Sequence, residues 1–158
     1  MDDVTVALSI HVLAVVLWIG GVALVTTVVL PAVRQFKSPE EMIAFFELVE
    51  RRFAWQARVT TLIAGGSGFY MMYRLKLWPM FHNLEYWWLD AMVLIWVLFT
   101  LMLFVAEPLF LSRWFDARAR RAPESTFAVV QRLHWLLLGL SLLTVAGAVA
   151  GAHGLSFG

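Results

Sequence analysis

VTVALSIHVLAVVLWIGGVALVTTVVL, residues Val4 to Leu30, decides the class of this protein. The stretch is long enough to cross a bilayer, for which about 20 apolar residues suffice. One ionisable side chain interrupts it, His11. An imidazole is poorly solvated by lipid, so a histidine there is read as a functional residue that faces protein, metal, cofactor or water.

Three further stretches repeat the pattern. Apolar residues run over Phe53–Tyr73, Tyr86–Leu111 and Thr126–Gly151, and the whole 158-residue chain is 61% hydrophobic and 15% charged, with a mean hydropathy of +0.79. Soluble domains carry roughly 25% charged residues. The sequence therefore predicts an all-α fold, a four-helix transmembrane bundle, and one integral membrane domain over residues 1–158. Asp2 and Asp3 stand where a signal peptide would carry positive charge, so the first span is expected to be retained. With no cysteine, disulfides, iron–sulfur clusters, thiolate copper sites and c-type haem attachment are not expected.

Basic residues set the expected orientation. Arg34, Lys37, Arg51, Arg52 and Arg58 flank the first connection, and Arg113, Arg118, Arg120, Arg121 and Arg132 the last. The middle connection holds only Arg74 and Lys76. Basic loops stay in the cytoplasm, so both termini are expected outside, as in a bacterial inner-membrane protein. The net charge of +1 gives no sign of nucleic acid as a partner. Ser38-Pro39-Glu40-Glu41 is a helix-start signal. It opens a short amphipathic cytoplasmic helix between spans one and two, either ending at the membrane surface or running into span two.

The two halves echo each other. Phe53-Ala54-x-x-x-Arg58 opens span two and Phe127-Ala128-x-x-x-Arg132 opens span four, while Pro31 and Pro108 lie near the cytoplasmic ends of spans one and three. Ala64-Gly65-Gly66-Ser67-Gly68, Gly147-Ala148-Val149-Ala150-Gly151 and Gly20-Gly21 mark either close helix packing or clearance for a flat cofactor. Aromatic residues near the span ends read as interfacial belts.

Two groups of residues could carry chemistry. At the inner side, Arg58, Glu107, Arg132 and His134 lie roughly 6–12 Å from their span ends. They suit an internal ion cluster, or a site for an anionic group such as haem propionates or a quinone headgroup. At the outer side, His11 lies roughly 10 Å below its span start. Asp90 enters span three from the same face, Met72 ends span two, His82 sits in the connection and His153 ends span four. Imidazole and thioether suit copper, and thioether favours Cu(I). Asp90 is a candidate to orient the His11 ring, as carboxylates do for metal-bound histidines. Depth separates His11 from His134, so the two do not share one haem. An outer haem on His11, with His153 as a candidate second ligand, and a separate inner site at His134 stay open.

His11-Val-Leu-Ala-Val-Val-Leu-Trp18-Ile-Gly20-Gly21, ending in Leu30-Pro31-Ala32-Val33-Arg34, resembles the first helix of copper-resistance D (CopD-like) membrane proteins. Glu50-Arg51-Arg52-Phe53 leading to Gly66-Ser67-Gly68-Phe69 resembles the second, so the likeness covers the first half of the chain. It implies copper uptake or transfer. His11 and Trp18-x-Gly20 also look like the first helix of HemJ-type protoporphyrinogen oxidases, which bind b-type haem. A lysine those proteins carry in a later span has no counterpart, since Lys37 and Lys76 are the only lysines here. The expectation is therefore a metal-handling membrane protein that binds copper at its outer face. The alternatives are a b-type haem cytochrome in electron transfer and a non-catalytic accessory subunit. Expected partners are the lipid bilayer, a periplasmic metal carrier or redox partner, and a second copy of the chain.

Overall fold

A computed structural model describes residues 2–36 and 38–154. Lys37, counted above among the basic residues, lies outside them. Among the described residues the elements are all helical. Helix α1 (Asp3–Leu24) passes through a π-helical turn (Val25–Val29) into α2 (Leu30–Val33). Helix α3 covers Pro39–Leu75 and α4 covers Trp87–Leu101. A second π-helical segment (Met102–Leu111) joins α4 to α5 (Ser112–Ala119), and α6 runs over Pro123–Ala152. Three continuous helical stretches are long and apolar enough to cross a membrane: Asp3–Val33, Leu84–Ala119 and Pro123–Ala152. Side chains such as Leu13, Leu17, Leu136 and Leu143 are exposed along them, as suits helices bathed in lipid.

Helix α3 is the more polar of the four long stretches, because Gln56, Arg58 and Ser67 interrupt the run from Phe53 to Tyr73. The amphipathic segment, for which the sequence leaves continuation into span two open, is the first part of α3. Ser38 caps it, accepting from the Glu41 N–H at 3.3 Å, with Pro39 at the first helical position. Nothing between Pro39 and Ala64 is a glycine or proline, so the helix continues into the apolar run without a break. It ends at Lys76 in the left-handed region (φ 53°), where the Leu77 N–H reaches back to the Met72 carbonyl at 3.1 Å.

Helices α1 and α3 form one antiparallel hairpin, pinned from end to end. Asp3 accepts from Tyr70 at 2.8 Å and pairs with Arg74 at 2.6 Å; lower down, Gln56 donates to the Leu17 carbonyl at 3.2 Å. Helices α4 and α6 form the other hairpin. At the basic end, where α2 turns into α3 and α5 into α6, Phe46, Phe115 and Phe127 pack at centroid separations of 5.1–5.5 Å. A second core layer, nearer mid-helix, holds Ala14, Trp18, Val22, Ala64, Phe99 and Leu138.

The two prolines explain both π-helical segments and how the hairpins lock together. In a π-helical turn each carbonyl accepts from the N–H five residues on. Proline has no N–H. Pro31 thus leaves the Thr26 carbonyl free, and Pro108 leaves the Leu103 carbonyl free; Thr26 and Leu103 are both buried. Each carbonyl receives a side chain from the other hairpin. Gln131 on α6 donates to Thr26 at 2.7 Å, and Arg58 on α3 donates through Nε to Leu103 at 3.2 Å. The halves that echo each other in sequence therefore hold each other reciprocally. Replacing Gln131 with Leu strands a buried acceptor, and we expect it to cost about 1–3 kcal/mol of unfolding free energy, measured in detergent micelles. An unchanged unfolding midpoint would show that the Thr26 carbonyl finds another donor.

Candidate functional site

The site is built from His11 outward. The ring is half-buried between α1 and α3. Its Nδ1 lies 2.8 Å from the Ala64 carbonyl and 3.2 Å from Ser67 Oγ. A carbonyl only accepts, so the proton is assigned to Nδ1 and Nε2 keeps its lone pair. The sequence arranges this locally. Ser67 turns its own hydroxyl back to the Ile63 carbonyl at 2.6 Å, and Gly68 leaves room for the ring, since a Cβ there would stand 3.2 Å from His11 Cε1. The orienting role expected of Asp90 falls instead to the Ala64 carbonyl, because α1 packs on α3 along its length.

Asp90 has a different partner. Its carboxylate accepts from the His82 backbone N–H at 3.1 Å and lies 3.6 Å from His82 Nδ1. His82 is held at φ 61°, an uncommon conformation for a residue with a Cβ, and its side chain is 91% exposed. The short loop thus presents a histidine–carboxylate pair to solvent at the end of the molecule where α1 begins and α6 ends. Met72 is buried within α3, and His153 is exposed at the end of α6, with Nδ1 2.7 Å from the Val149 carbonyl. Among the described residues, no three His, Asp or Glu side chains converge as a metal-holding group.

At the basic end the anticipated four-residue cluster divides. Arg58 and Glu107 meet at 2.9 Å, with side chains 31% and 21% exposed. Arg132 is exposed and makes no ion pair among the described residues. His134 turns Nδ1 to the Val130 carbonyl of its own helix at 2.9 Å, and its ring lines a cavity of about 30 Å³ in the mid-helix core. Sequence reasoning quoted Glu50, which precedes the apolar run of α3, as part of a family likeness and gave it no place at a site. Burial pushes its carboxyl up to about 7, with Glu107 adding repulsion and Arg58 opposing it. An acidic residue at an otherwise apolar helical spacing beside Val49 and Phe53 was the available signal.

The small residues flagged in the sequence have definite neighbours. Gly65 faces the Trp96 ring, Gly21 the Phe53 ring, Gly147 the Trp87 ring and Gly151 the Trp88 ring. The clearance at these four positions is filled by the chain's own aromatic side chains. Gly20 and Gly66 face open space.

No protein-family model, known curated protein or solved structure matches this chain.

Proposed function

We propose that this is a bacterial inner-membrane protein that captures copper at its outer face for transfer or uptake, with His11 as the intramembrane ligand. In this reading α3 is the fourth membrane span and completes a four-helix transmembrane bundle. Both termini lie outside, and the arginine-rich connections face the cytoplasm. One observation carries the proposal: the His11 ring is fixed by a backbone carbonyl at Nδ1, which leaves Nε2 as a directed lone pair within an apolar span. Metal-binding histidines are oriented in this way. Cu(I) accepts imidazole and thioether donors. The exposed His82–Asp90 pair serves as the entry point where the cargo first meets the protein, delivered by a periplasmic carrier. Met72 and His153 belong to the same end of the molecule.

The test is copper binding to the purified protein under reducing conditions. The wild type is expected to bind about one Cu(I), and His11→Ala to weaken that affinity by more than about 100-fold, beyond the effect typical of losing a group that only orients a ligand. His82→Ala is expected to slow loading and leave the bound state intact. Equal affinity in wild type and His11→Ala overturns the proposal.

A b-type haem on His11 is the second reading, favoured by the same ring orientation, which also suits an axial ligand. Four of the glycines that could give a flat cofactor clearance, Gly21, Gly65, Gly147 and Gly151, instead face the chain's own aromatic rings. A red preparation with a Soret band that is lost in His11→Ala would favour haem over copper.

A further inference from the structure

The cavity beside His134 has a chemical character that neither reading uses. Two of the side chains lining it carry a hydrogen-bonding nitrogen, those of Trp18 and His134; Phe53, Phe99 and Leu137 are among the apolar remainder. Trp18 is 96% buried, the complement of its 4% exposure, and its indole N–H has no partner. An orphaned buried donor is costly, so native structures rarely leave one. His134 supplies the complementary group. Its Nδ1 is committed to the Val130 carbonyl, so the ring proton is assigned there and Nε2 can only accept. The side chains that carry this donor and this acceptor both line one small space.

The volume selects the ligand. A cavity needs roughly 10–15 Å³ to admit a water, and a water in the liquid occupies about 30 Å³. The cavity measures about 30 Å³, too small for an organic ligand. The geometry points to a binding site for one water molecule, held between the Trp18 indole N–H and Nε2 of His134. The water accepts from the indole and donates to the imidazole. That gives it two partners, the lower end of the range for buried waters. Leu103 lines the cavity as well, and its carbonyl is the one held by Arg58. The water site is therefore adjacent to the contact that locks the hairpins, and the second ring nitrogen of His134 gains a polar partner.

The experiment is proton NMR of the protein in micelles with ¹⁵N-labelled indoles, the Trp18 signal being assigned by its loss in Trp18→Phe. A rotating-frame Overhauser cross-peak between the Trp18 indole proton and water is expected, of opposite sign to one arising from exchange. It should disappear in His134→Leu, which removes the acceptor. No cross-peak in the wild type, or one that survives in His134→Leu, overturns the site.

Discussion

Arg58→Leu should lower the unfolding free energy by about 3 kcal/mol, the lower end of the range for removing one partner of a buried pair. Two losses combine in this substitution. Glu107 keeps a carboxylate with no counter-charge in an apolar segment, and the Leu103 carbonyl loses its donor. The side chains of the pair are 31% and 21% exposed, so solvent softens the electrostatic part. The double variant Arg58→Leu/Glu107→Leu removes the stranded charge and retains only the unpaired carbonyl. Its cost should fall to about 1–2 kcal/mol, below that of the single variant. Chemical unfolding of the variants in micelles makes the comparison. If the double variant is no more stable than the single one, Glu107 does not depend on Arg58 and the ion pair contributes nothing.

Gly65→Leu should cost a similar amount, about 3 kcal/mol, through sterics instead of charge. A Cβ at position 65 would stand 2.5 Å from two atoms of the Trp96 ring. The ring has little freedom to retreat. Its Nε1 donates to the Thr61 carbonyl at 2.9 Å, and it packs nearly perpendicular to the ring of Phe69, with centroids 5.3 Å apart. Accommodating the larger side chain therefore breaks the indole hydrogen bond as well as crowding the interface between α3 and α4. Gly66→Leu is the internal control: position 66 has nothing within 4 Å, so its effect should stay within about 0.5 kcal/mol. Trp96→Ala in the Gly65→Leu background should restore part of the loss. A neutral Gly65→Leu would show that the helices sit further apart than the ring contact implies.

Much of the helical layout is legible from residue order. Ser38-Pro39 marks the start of α3, and the apolar runs mark the three stretches able to cross a membrane. The extent of the amphipathic segment is less legible, because the absence of a breaker between Pro39 and Ala64 permits continuation without requiring it. The arginine-rich connection Ser112–Pro123 shows the same limit. Residues Ser112–Ala119 extend the preceding helix as α5, and only Arg120–Ala122 turn. At the candidate site, sequence points to His11 through the oddity of an imidazole among apolar residues. It points to Asp90 as its partner only through shared depth, and depth says nothing of which helix faces which.

The sequence by itself determined composition, span lengths, charge asymmetry and the positions of Pro31 and Pro108. These follow from local chemistry: apolar runs form helices able to lie in lipid, and a proline frees one carbonyl wherever it stands. Which group answers each freed carbonyl was decided only by tertiary structure. Gln131 and Arg58 reach Thr26 and Leu103 across 105 and 45 positions of chain, because the packing of the two hairpins sets them side by side. The same holds for His11 against Ala64, Trp96 against Gly65, and Trp18 beside His134. Each pairing depends on the rotation of one helix against its neighbour, which periodicity along a nearly uniform apolar helix does not specify.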